Sequence, residues 1–132
     1  MEINANHFIF DDVSLIGAEF KIITSNKEEI ITSTNPEEVV KELSMMKAED
    51  VAAGVAGPAI ILGADTVVAY DGKILGKPKD EAEAYNMIKM LQGNIHQVYT
   101  GVCVIRGESE LLRYNMSHVR FRPMSDEEID AY

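Results

Sequence analysis

The chain has 132 residues, 46% of them apolar and 7% aromatic, with no Trp and a formal charge of -10 from 12 basic and 22 acidic side chains. That is one soluble domain's worth of chain, and the acidic balance argues against duplex nucleic acid or a polybasic membrane contact, both of which need Lys and Arg to displace counterions. No apolar run approaches bilayer length and no basic start precedes an apolar segment, so neither a spanning helix nor a secretory signal is expected, and a cytoplasmic location follows by default.

Residues 1–12 offer no clear element, and His7 in this acidic stretch reads as a solvated surface residue. From Val13 to Ile23 the pattern is a helix end, a stop at Gly17 and a strand. Ser25-Asn26-Lys27-Glu28-Glu29 reads on spacing alone as a solvated charge run. Asn35-Pro36-Glu37-Glu38 is a helix start, with Asn to cap, Pro for the first turn and two acids to complement the dipole. The helix is predicted from Pro36 to Ala53, with Val39, Val40, Leu43, Met46 and Val51 on an apolar stripe and Lys41, Glu42 and Glu49 left to water. Lys47 borders that stripe and, as a bare helical lysine, reads as surface. Gly54 and Gly57-Pro58 end the element.

Ala59-Ile60-Ile61-Leu62 is a short apolar run that reads as a buried strand, and it sets Asp65 at the strand end. Asp71-Gly72, between Val67-Val68-Ala69-Tyr70 and Lys73-Ile74-Leu75, is a strong hairpin signal, because both central positions of such a turn want positive φ. That hairpin is expected to fold Lys77 back toward Asp65, placing a carboxylate and an ammonium in one cleft, the minimum equipment for a metal-bound phosphate. The plainer reading of the same spacing is an acid closing a turn beside an ordinary Gly-Lys-Pro loop.

A second helix is predicted from Asp80 to Leu91, with Asp80 and Glu83 as a capping box, Gly93 as the stop, and Ala84, Tyr85, Ile88 and Leu91 facing the sheet. A strand from His96 to Arg106, a turn at Gly107-Glu108 and a strand from Leu111 to Phe121 follow. The single Cys103, in an apolar strand, reads as a buried small hydrophobe, and His96 as a hydrogen-bonding framework residue. Ser125-Asp126-Glu127-Glu128 opens a last, short helix that would be marginal in isolation.

The run Gly63-Ala64-Asp65-Thr66-Val67-Val68, then Asp71-Gly72-Lys73-Ile74-Leu75-Gly76-Lys77-Pro78, then Gly93 and His96-Gln97-Val98-Tyr99-Thr100-Gly101-Val102 resembles the signature block of the Maf family of nucleotide pyrophosphatases. The resemblance implies an α/β fold of Maf/ITPase type, a mixed β-sheet flanked by helices, with 13–132 as a single partial domain and 1–12 as an atypical segment. It also implies cleavage of a nucleoside triphosphate to the monophosphate and pyrophosphate with Mg²⁺ or Mn²⁺. Carried over residue by residue, Asp65 binds the metal and assists the attacking water, Lys77 and Lys47 offset charge on the leaving pyrophosphate, and Thr66 and Glu29 contribute to substrate binding. Gly-Ala-Asp-Thr resembles the branch acting on dTTP and UTP.

The family's Ser-x-Ser-Pro-Arg-Arg loop has no counterpart here, since no Arg precedes Arg106, and Maf-like chains continue past the position of Tyr132. Two alternatives follow from those departures. One is a catalytically inactive remnant that binds nucleotide weakly. The other is an interaction domain whose exposed apolar face drives self-association into a homodimer.

Overall fold

In a computed structural model, which describes residues 22–25 and 32–132, helix α1 (Pro36–Gly54) begins where the capping residues place it. The Asn35 side chain accepts the Glu37 N–H at 3.0 Å, and Pro36 occupies the first turn, where its missing N–H costs nothing. The helix buries Val39, Val40, Leu43, Ser44 and Ala48. Ser44 and Ala48 were not on the expected stripe, whereas Met46 and Val51 are only half-buried. Lys41 and Glu42 are half-buried rather than left to water. Small side chains at 44 and 48 let the helix axis approach what lies beneath it.

Beneath it is a four-stranded sheet made of β1 (Ile60–Tyr70), β2 (Lys73–Leu75), β3 (Ile95–Arg106) and β4 (Ser109–Arg120), in the order β2-β1-β3-β4. The α/β class with a helix-flanked sheet holds. Every strand pair among the described residues is antiparallel, so the parallel pairing of a mixed sheet is not found among them. Asp71 (φ 50°) and Gly72 (φ 76°) make the tight β1–β2 turn with both residues in the left-handed region, as the Asp-Gly signal predicts. The β3–β4 turn falls at Gly107-Glu108, with Gly107 at φ 59° and Arg106 paired to Ser109.

Two expectations about β1 are corrected. Ile60 and Leu62 are 68% and 53% exposed, so the Ala59–Leu62 run is a strand start but not a buried one. Both point away from α1, since side chains alternate along a strand and Gly63 lies under the helix. Nor is Asp65 at a strand end. β3 pairs with β1 along its length, from Ile60↔Arg106 to Ala69↔Gln97, which puts Asp65 mid-strand opposite Gly101.

Helix α2 (Glu81–Leu91) is capped by Asp80, whose side chain accepts the Glu83 N–H at 2.8 Å, and Gly93 follows its end at φ 70°. Its apolar stripe meets α3 (Asp126–Ala131) rather than lying across the sheet as expected, with Lys89 3.5 Å from Asp126. The Asp126 carboxylate beside the Tyr85 hydroxyl, then burial and the charge of the neighbouring acids, push the phenol up to about 12. The short α3 stands because it is docked. Ser125 and Glu128 form the capping box, Ile129 is buried, and the Met124 N–H donates to the Gln92 side chain.

His96 is 3% exposed and packs edge-on against Phe121, with ring centroids 4.7 Å apart. It is a framework residue through packing, not through Nδ1, which has no hydrogen-bond partner among the described residues. Burial lowers its pKa below the ordinary imidazole value. The unfolded chain therefore binds the extra proton first, and the fold loses stability as pH falls through the unfolded imidazole pKa of about 6.5. The expected result is a thermal midpoint that drops between about pH 7 and 5, and a flatter profile for His96→Phe. An equal slope in the variant would remove His96 as the cause.

Candidate active site

Residues of alternate parity on β1 face opposite sides of the sheet. Gly63 and Asp65 face α1, and there the Lys47 ammonium meets Asp65 Oδ1 at 2.6 Å. The pair is partly shielded, with the carboxylate side chain 15% and the lysine 32% exposed. Two glycines permit the contact. A Cβ on Gly63 would lie 2.4 Å from the Ser44 carbonyl oxygen, and one on Gly101, directly opposite Asp65, would lie 2.2 Å from that of Val40. The helix thus rests on bare sheet backbone, and Lys47 is delivered to the acid from above. Sequence reading named both charged residues but missed the glycine and small-residue cradle, whose signal was Ser44 and Ala48 on the helix together with Gly63 and Gly101 on the strands.

The other site expectations fare differently. Thr66 points to the far face, where its hydroxyl is 3.0 Å from that of Thr100, so the structure does not bring it together with Asp65. Lys77 is exposed beyond the end of β2, and among the described residues Asp65 is paired with Lys47, not with Lys77. The hairpin forms, but β2 stops at Leu75. Its register, if extended, would set Lys77 opposite Thr66 on the wrong face. Glu29, His7 and the segment from Val13 to Lys21 lie outside the described residues.

A metal fit rests on one carboxylate. Among the described residues no group of three or more His, Cys, Asp or Glu side chains converges, while Asp65 keeps Oδ2 beyond the Lys47 contact. One or two carboxylates, completed by phosphate oxygens and water, is the usual arrangement for Mg²⁺ in phosphate-handling sites, so Asp65 fits that role. Cys103 takes no part: it is fully buried, its thiol donates to Glu110 at 3.4 Å, and burial first and that bond second push it up to about 11. The surface depression lined by Ile88, Arg120, Phe121, Arg122, Met124 and Tyr132 includes neither Asp65 nor Lys47.

The sequence from residue 13 to 132 matches the family model described as Maf-like protein. The chain belongs to the Maf family. Curated Maf relatives include proteins named dTTP/UTP pyrophosphatase from Thermococcus gammatolerans, 46% identical over 114 residues, and from Alkaliphilus oremlandii, 45% identical over 120. A third, from Bacillus cereus, bears the same name and is 43% identical over 121 residues. These alignments cover 86%, 89% and 91% of this chain but 60%, 62% and 63% of the relatives. The chain therefore spans about three-fifths of the length of the curated Maf proteins it matches. No helix among the described residues is long and apolar enough to cross a membrane.

Proposed function

We propose that this chain carries the chemistry of a cytoplasmic nucleoside triphosphate pyrophosphatase acting on dTTP and UTP. The observation that carries the reading is the Lys47–Asp65 pair, held at 2.6 Å on the α1 side of the strand that bears Gly63-Ala64-Asp65-Thr66. The relatives' shared name supports the substrate class.

The pair holds a carboxylate in a set orientation in mid-strand beneath a helix, which is the arrangement a positioned general base requires. Lys47 fixes Oδ1 and leaves Oδ2 to accept a proton from the water that attacks the α-phosphorus. The new bond is water oxygen to α-phosphorus, and the bond that breaks joins that phosphorus to the oxygen bridging it to the β-phosphorus. The products are the monophosphate and pyrophosphate. The Lys47 ammonium has three N–H donors, which suits it to opposing charge on the phosphate oxygens. A divalent cation, Mg²⁺ or Mn²⁺, would be held by Asp65 and the substrate phosphates, and when bound it supplies charge neutralisation. Lys77, Thr66 and Glu29 enter this reading by resemblance alone.

The test is pyrophosphate release from dTTP and UTP with Mg²⁺ or Mn²⁺. Release from these two at rates above those with purine triphosphates is the expected result. No release from any nucleotide by folded chain rejects the proposal.

A further inference from the structure

Ten of the twelve residues of β4 are exposed, against two of twelve in β3, which shares both sheet faces with β4 but has a strand on each side. The difference is the free edge of β4. The two-residue turn Gly107-Glu108 closes on Arg106↔Ser109, and a turn of this length ends on a hydrogen-bonded pair. Alternation along the ladder then turns the backbone N–H and C=O groups of Glu110, Leu112, Tyr114, Met116, His118 and Arg120 outward. No strand among the described residues meets them. Edge strands are ordinarily blunted by Pro, Lys, a bulge or short length. β4 has neither Pro nor Lys, and its pairing with β3 runs unbroken from Ser109 to Arg120.

We infer that this edge is an interaction surface for a second copy of the chain, the two β4 strands pairing antiparallel about a two-fold axis at Asn115. That register sets Glu110 of one copy opposite Arg120 of the other, Leu111 opposite Val119, and Tyr114 opposite Met116, so charges are matched and apolar side chains meet on both faces. Within one copy the acid and the arginine stand at opposite ends of β4, about 33 Å apart, and cannot meet. Glu110 gives Oε1 to the Cys103 thiol and keeps Oε2, while Arg120 has no ion pair among the described residues. An axis one residue either way, at Tyr114 or Met116, leaves both without their opposite charge. The chain's net charge of -10 opposes association in general, but β4 carries Arg113 and Arg120 against Glu110 alone, so the acidic excess is absent along this edge. The outward groups of the two copies form about twelve backbone hydrogen bonds, and four strands from each copy join into one sheet.

The inference stands apart from the pyrophosphatase reading, and its test needs no nucleotide. Analytical ultracentrifugation of this chain is expected to show a dimer that dissociates on dilution. Asn115→Cys puts two thiols at a non-hydrogen-bonded pair, where Cα atoms lie about 4.5 Å apart, within disulfide range. Mild oxidation should therefore crosslink it into a covalent dimer, with the buried Cys103 taking no part. Arg113→Cys lies on the same face, but its counterpart falls four residues out of step, about 13 Å along the strand, and should not crosslink. Glu110→Arg opposes like charges at both ends of the interface and is expected to raise the dimer dissociation constant about 10-fold. Adding Arg120→Glu restores the opposite charges and should recover the parent value. A monomer at every concentration overturns the inference. So does crosslinking of Arg113→Cys as complete as that of Asn115→Cys, or a double charge reversal that associates no more tightly than Glu110→Arg alone.

Discussion

Asp65→Asn is expected to cut pyrophosphate release from dTTP by at least about a hundredfold, and by up to about ten-thousandfold, the range for loss of a positioned general base. The change keeps the size of the side chain and an oxygen for Lys47 to approach, so the fold should survive. What goes is the negative charge and with it the capacity to take a proton from water or to hold a divalent cation. Lys47→Met removes the other half of the pair and is expected to cost about a hundredfold, the scale of one transition-state donor. Lys89→Met is the internal control. That lysine lies on α2, 55% exposed and 3.5 Å from Asp126, away from the pair, so turnover should change little. Turnover by Asp65→Asn equal to that of the parent, with melting curves showing both folded, would reject the assignment.

Gly101→Ala is expected to lower the thermal midpoint by about 10 °C, an estimate from about 3 kcal/mol of overpacking in a domain of this size. The added Cβ would meet the Val40 carbonyl oxygen at 2.2 Å. That atom belongs to the helix backbone and cannot rotate away, so the whole of α1 must lift or shift. Gly63→Ala raises the same conflict two residues before Asp65, with the Ser44 oxygen at 2.4 Å and the Ala48 Cβ at 2.9 Å. Gly76→Ala is the contrast, because nothing lies within 4 Å of a Cβ built there, and its midpoint should move little. A midpoint for Gly101→Ala within about 2 °C of the parent, well under the shift for 1 kcal/mol, would mean that the helix is not seated on the sheet as described.

Much of the local structure was legible because its causes are local. Asn35-Pro36, Asp80, Ser125 with Glu128, and Asp71-Gly72 act within a few residues of themselves, and each cap or turn formed where its chemistry required. The face of each element was harder. An apolar run such as Ile60-Ile61-Leu62 reads the same whether one side of a strand is covered or both, and only packing revealed that Ile60 and Leu62 are exposed. The α2 stripe likewise signalled burial without saying against what, and its partner proved to be α3.

By itself the amino-acid sequence determined where helices and turns begin, which residues carry charge, and, through the block from Gly63 to Val102, the family to which the chain belongs. Tertiary structure alone decided which ammonium meets Asp65. Pairing depends on strand length and on which face of the sheet a side chain occupies: β2 ends at Leu75, and its register, continued, would set Lys77 opposite Thr66 on the face away from Asp65. Lys47, eighteen residues away in the chain, arrives instead because Gly63 and Gly101 leave no side chains to hold the helix off the sheet.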